Sequence, residues 1–242
     1  MEDEEKKAFF EKIRNIVREK RYYDSLQDVL YCDRFHCLPE KGRPYMNEIG
    51  GFLSEKEQDR LTGKEAEEIA GRLRGMAPSD FTDDYQRGLA RYFLDAYDEA
   101  TKLPIDLKVE LDSFCVEAQF EWKKAFQKAD FPMFFPYLQR QFELQGKVAR
   151  AIDRSRPPFE VLLNRVDKGF SLARLDPLVE RVKEGLLDIL HETEKRPHPD
   201  DSFLNVDPPK DVKMELAKKA ADFIQFDRKR GHFYEMLHPV CC

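Results

Sequence analysis

Along most of this chain hydrophobic residues recur at steps of three and four, the period of an α-helix with one buried face. Within residues 4 to 20, Phe9, Ile13, Ile16 and Val17 share one side while charges occupy the rest, so the first predicted helix is amphipathic. A second helical stretch carries Tyr22, Tyr23, Leu26, Val29 and Leu30. Leu38-Pro39, Gly42 and Pro44 then interrupt the pattern, because proline has no N–H to give a helix interior. Periodicity returns over roughly 45 to 61, and one short helix is predicted between Gly63 and Pro78, weakened by Gly71 and Gly75.

Ser79-Asp80 is the predicted start of a strong helix in which Tyr85, Leu89, Tyr92, Phe93, Ala96 and Tyr97 repeat at three and four. Pro104 suits the first turn of the next, where Leu107, Leu111, Phe114, Ala118, Trp122 and Phe126 line one side. Asp130-Phe131-Pro132 marks a corner, residues 133 to 153 read as a helix with an early Pro136, and Arg156-Pro157-Pro158 ends it. After the turn Asp167 to Ser171, Ser171 is the expected N-cap of a helix carrying Leu172, Leu175, Val179, Val182, Leu186 and Ile189. A Pro- and Asp-rich loop from Arg196 to Pro209 precedes a last helix over 211 to 225, and Arg230 to Val240 reads as turn and strand. The expected fold is all-α. It is a multi-helix array forming one unit over 1–242, with sub-units 1–156 and 157–242 and one or two short strands near the C-terminus.

Composition narrows the function classes. The 242 residues hold enough apolar side chains for a sizeable core, and 36% are charged with a net charge of -6 from interspersed signs. No basic face of the kind phosphate backbones require is present, which argues against nucleic acid. No apolar run approaches the roughly 20 residues that span a bilayer, and the acidic start Met1-Glu2-Asp3-Glu4-Glu5 is unlike a secretory signal. The expected compartment is the cytoplasm. Five cysteines, Cys32, Cys37, Cys115, Cys241 and Cys242, are odd in number and irregular in spacing, unlike a disulfide framework. Cys32 and Cys37 flank His36, but a zinc site needs a second pair of ligands, so they read as ordinary thiols.

The stretch from Pro157 onward carries an ordered set of motifs: Pro158-Phe159-Glu160-Val161-Leu162-Leu163, Asp167-Lys168-Gly169-Phe170-Ser171, Pro199-Asp200-Asp201-Ser202-Phe203-Leu204, Phe226-Asp227-Arg228-Lys229-Arg230-Gly231 and His238-Pro239. Upstream stand Leu30-Tyr31-Cys32-Asp33 with Leu38-Pro39, then Ala118-x-x-x-Trp122-x-x-Ala125, Asp130-Phe131 and Pro136-Tyr137-Leu138. This order resembles the carboxypeptidase Taq family of zinc metallocarboxypeptidases over roughly residues 5 to 240. Cys32 and Leu38 stand where that family carries tryptophan and methionine, and Val240 replaces the phenylalanine of its His-Pro-Phe motif.

The resemblance implies an N-terminal half. In the family, His-Pro-Phe leads to Asp-x-Arg-x-Thr and then to a His-Glu-x-x-His zinc helix, and neither follows here. Zinc belongs to the full-length family and is not expected for this chain alone. Two histidines one helical turn apart are needed, since i and i+4 share a face, together with a glutamate to take a proton from the metal-bound water. The five histidines, His36, His191, His198, His232 and His238, offer no such pair, the closest spacings being six and seven. His191-Glu192-Thr193-Glu194-Lys195 begins like the motif but ends on a cation, and His191 reads better as a charge near a helix C-terminus.

No catalytic and no metal-ligating residue is therefore assigned. His238 and Pro239 are carried over as a remnant substrate-binding motif, with the end of a strand as the plainer reading. Arg228, Lys229 and Arg230 suit a substrate carboxylate chemically, but a solvated turn explains them as well. Three functions stay open: a truncated peptidase relative inactive alone, half of a split peptidase completed in trans by its missing C-terminal half, or a helical peptide- or protein-binding module. By resemblance a homodimer is the expected assembly, and a peptide is a substrate only for a completed enzyme.

Overall fold

The computed structural model describes residues 3–36 and 38–231, and among them every regular element is helical. Helix α1 (Asp3–His36) is continuous where two stretches were expected. Arg21, Tyr22 and Tyr23 contain neither glycine nor proline, so nothing stops the ladder, and the second apolar stretch simply turns outward. Tyr22, Leu26 and Val29 are exposed.

Pro44 sits in the first turn of α2 (Arg43–Thr62), where its missing N–H costs nothing, and α3 (Lys64–Arg74) follows after Gly63. The strong helix α4 (Asp84–Lys102) begins later than expected. Asp83 caps it by accepting from the Gln86 N–H at 2.8 Å, while Ser79 and Asp80 lie in a separate 3-10 turn, Pro78–Asp80. Phe9, Phe10, Ile13 and Ile16 of α1 pack with Leu61, Ile69, Leu73 and Phe93 into the main core. Each such side chain contributes about 1.5–3 kcal/mol through burial.

Pro104 stands just before α5 (Ile105–Lys128) rather than within it, and Ala129 closes that helix in the left-handed region at φ 51°. In α6 (Phe131–Ile152) Asp130 accepts from the Met133 N–H at 3.1 Å, so the helix starts two residues before the expected position. The Pro157-Pro158 pair, expected to end a helix, starts one instead, α7 (Pro158–Val166). Proline has its φ preset for a first helical turn, so the dipeptide opens α7, while α6 has already ended at Ile152 with Asp153 as its cap. Val161 is buried, and Arg165 donates to Glu99 Oε1 at 2.7 Å, which fixes α7 against α4.

Contacts divide the described residues into two compact units, the first within Met1–Gly169 and the second within Phe170–Glu235. The second unit contains α8 (Leu172–Glu194), a 3-10 turn at Ser202–Asn205, and α9 (Lys210–Phe223). Ser171 occupies the N-cap position of α8, but its hydroxyl makes no capping hydrogen bond. The expected strand over Arg230 to Val240 lies almost wholly outside the described residues, and no strand occurs among those described.

Candidate functional site

His238 and Pro239 lie outside the described residues, as do His232, Cys37, Cys241 and Cys242. The other sequence candidates are scattered. His191 is exposed in the last turn of α8, where Lys195 donates to Glu192 Oε1 at 2.6 Å, so the position for a second zinc ligand holds a paired cation. Arg228 pairs with Asp222 at 2.9 Å and Arg230 with Asp227 at 3.3 Å, all four exposed, as the solvated-turn reading expects. Cys32 and Cys115 are free, half-buried thiols. No group of three or more His, Cys, Asp or Glu side chains is placed to hold a metal among the described residues, so these residues do not fit zinc.

What the first unit does contain is a polar cavity of about 390 Å³ between α1, α2 and α5. Ser54 of α2 is fully buried. Its hydroxyl donates to Asp112 Oδ2 at 2.9 Å and accepts from Gln27 Nε2 at 3.3 Å, while Gln27 also donates to the Gly50 carbonyl at 3.2 Å. Gly50 and Gly51 leave the wall of α2 free of side chains at this level. Beside this chain of bonds, Lys108 donates to Glu57 Oε2 at 2.6 Å and Lys20 approaches Glu57 Oε1 at 3.2 Å.

The electrostatics follow from burial. Burial pushes the Asp112 carboxyl above the usual carboxylate range, against the Ser54 hydrogen bond and the charges of Lys108 and Arg34. Glu57 would also rise through burial, but Lys108 and Lys20 outweigh it and hold the group below its usual value. Arg34 has no such compensation. Burial pulls its guanidinium below the ordinary arginine value, with Cys115, Asp112 and Tyr31 opposing. Cys115 is raised by burial, so it stays a thiol, and it donates weakly to Gln141 Oε1 at 3.7 Å.

Sequence alone singled out only Cys115, as a thiol, and Tyr31, within the Leu30-Tyr31-Cys32-Asp33 motif. The others lie far apart along the chain, and each alone looks like an ordinary polar or small position on a helix. The available signal was a serine and an aspartate, Ser54 and Asp112, on helix faces that turn inward.

The sequence profile of the carboxypeptidase Taq (M32) metallopeptidase family matches residues 12–242. This chain belongs to that family. It is 26% identical over 249 residues to thermostable carboxypeptidase 1 of Thermus thermophilus, covering 96% of this chain and 48% of that protein. Carboxypeptidase 1 of Bacillus subtilis is 28% identical over 144 residues, 59% of this chain and 29% of the relative. The solved structure of BsuCP superposes with a TM-score of 0.85 at 22% identity over 96% of this chain and 46% of its own, which establishes the fold. The chain thus spans under half the length of these M32 carboxypeptidases, and the resemblance read from the ordered motifs is correct at family level.

Proposed function

We propose that these 242 residues are equivalent to the N-terminal half of the M32 metallocarboxypeptidases and do not by themselves hydrolyse peptides. The observation that carries this reading is the histidine arrangement: across 242 residues no two histidines lie four apart, and the motif-like His191 is followed at that spacing by Lys195. The span of 48% of the Thermus relative supports it, because the rest of that relative has no counterpart among these 242 residues.

A second reading, half of a split enzyme, gains support from α8. That helix buries none of its residues, and Val182, Leu186 and Ile189 present an apolar stripe suited to a covering partner. In this second reading the family reaction, hydrolytic release of C-terminal amino acids, belongs to the assembled pair, with peptide as substrate and zinc held by the other half. The cytoplasm remains the proposed compartment, from cysteine usage; no described helix is long and apolar enough to cross a membrane.

The experiment is a release assay on a blocked dipeptide with purified chain plus zinc, repeated with a separately expressed second half carrying His-Glu-x-x-His. The first reading expects no release in either case, and the second expects chelator-sensitive release only from the mixture. Chelator-sensitive release by the chain alone overturns both.

A further inference from the structure

The cavity contains two opposite charges that the chain leaves apart. Arg34 and Asp112 both line it and each lies within the other's field. Among the described residues, Arg34 makes a long 3.4 Å bond to the Leu30 carbonyl of its own helix and rests 5.5 Å from the Tyr31 ring centroid, with no carboxylate in contact. Asp112 takes the Ser54 hydroxyl on Oδ2, and its other oxygen is given no partner there. Asn47 and Gln119 line the same cavity, and each has a buried amide oxygen without a hydrogen-bond partner among the described residues. Polar groups placed so are costly when empty and point to a ligand that satisfies them.

A second chamber of about 310 Å³ adjoins this one, with Tyr31, Cys115 and Gln119 lining both. Its own walls are apolar and aromatic, formed by Trp122, Phe134, Tyr137 and Leu138. A few convergent polar groups beside an apolar chamber is the usual build of a small-molecule site. Charge selects the ligand further. A simple anion on Arg34 faces the carboxylate of Asp112, a simple cation on Asp112 faces the guanidinium, and a neutral apolar molecule buries both unpaired.

We propose that the two chambers form one binding site for a free α-amino acid with a large apolar side chain. Its carboxylate takes the Arg34 guanidinium and its ammonium takes Asp112, with the unpaired amide oxygens of Asn47 and Gln119 as further acceptors. The side chain enters among Trp122, Phe134 and Tyr137. Arginine pairs with carboxylates through two parallel N–H bonds, and the adjoining rings supply apolar area. This inference needs neither a metal nor a second half, so it stands apart from the peptidase reading.

Trp122 is the sole tryptophan of the chain, which makes its emission a direct report on the aromatic chamber. Titration of the full chain with L-phenylalanine or L-leucine, excited at the red edge of tryptophan absorption, should give a saturable change that calorimetry reproduces at one site per chain. In the unmodified protein, 3-phenylpropionate, which lacks the ammonium, and phenethylamine, which lacks the carboxylate, should each bind about ten-fold more weakly. Arg34→Gln should weaken L-phenylalanine by a similar factor while its melting temperature stays close to that of the parent. Absence of saturable binding by both methods overturns the proposal, and so does equal binding of the amino acid and either singly charged analogue. Should Arg34→Gln fail to fold, the analogue comparison decides alone.

Discussion

Ser54 Oγ donates to Asp112 Oδ2 at 2.9 Å, joining α2 to α5 across 58 positions of sequence. The serine is fully buried and is also the acceptor for Gln27, so it is the middle of a three-residue chain of bonds linking three helices. Ser54→Ala leaves the Asp112 carboxylate desolvated without its donor. Loss of such a bond to a buried charged group should cost about 1–3 kcal/mol, read from urea unfolding. A stability equal to the parent's would mean that the bond does not hold these helices together.

Asp112 and Glu57 are predicted to act on stability in opposite directions with pH. Asp112 has a folded-state pKa raised mainly by burial, so the stability it contributes is full below the unfolded carboxylate value of about 3.9 and is lost as pH climbs through the higher folded value. Glu57 is lowered, burial being outweighed by Lys108 and Lys20; its contribution is full above about 4.3 and is lost as pH falls through the lower folded value. Asp112→Asn should therefore gain on the parent as pH is raised from about 4 to 7. Glu57→Gln should instead fall behind the parent as pH is raised from about 2 to 5, and stay behind by roughly 1–3 kcal/mol at pH 7, between the values for exposed and buried pairs. Thermal melts of each variant beside the parent across its own interval check this, and slopes of the same sign would refute the assignment.

Much of this fold was legible in the sequence because the helices are amphipathic and proline marks their corners. The core face of α1 was readable from Phe9, Ile13 and Ile16, all of which are buried. The failures share a physical cause, which is that a start signal and a stop signal use similar residues. Pro157-Pro158 was read as a stop, yet Pro158 opens α7; Ser79-Asp80 was read as a cap, yet Asp83 does that work. The polar cavity was not legible at all. Its members become neighbours only when α1, α2 and α5 pack, and nothing local to Arg34 tells that its guanidinium is half-buried without a carboxylate in contact among the described residues. The absence of a zinc pair, by contrast, needed only a count of histidine spacings.

Ala129 follows α5 with φ 51°, a region in which a Cβ meets the neighbouring backbone and which C-terminal caps usually fill with glycine. The turn itself is well made, with the Ala129 N–H on the Phe126 carbonyl and the Asp130 N–H on the Ala125 carbonyl at 2.9 Å. Ala129→Gly keeps those bonds and relieves the strain, at the cost of a freer unfolded chain. The strain of about 1–2 kcal/mol exceeds that entropic cost, so the variant should be more stable by about 0.5–1 kcal/mol. A lowered denaturant midpoint would show that the alanine methyl makes a compensating contact.

The exposed stripe on α8 carries the last prediction. Leu178, Val179, Val182, Leu186 and Ile189 repeat at helical spacing over a 23-residue helix with no fully buried residue, with Leu178 49% and Ile189 60% exposed. Charges of both signs flank the stripe, Glu180, Arg181, Lys183 and Glu184 among them, so no single-sign field opposes a second copy. Covering such side chains contributes up to about 1.5–3 kcal/mol each before the cost of association, enough for pairing at micromolar concentration from a few of them. In the absence of a second half, the purified chain should therefore sediment as a concentration-dependent dimer. The double variant Val182→Asp with Leu186→Asp should shift it to monomer, and its helical signal by circular dichroism should change little because both positions are solvated in the single chain. If the parent chain is monomeric at high concentration, the stripe is covered within the chain in solution, and the support that α8 lends to a split enzyme goes with it.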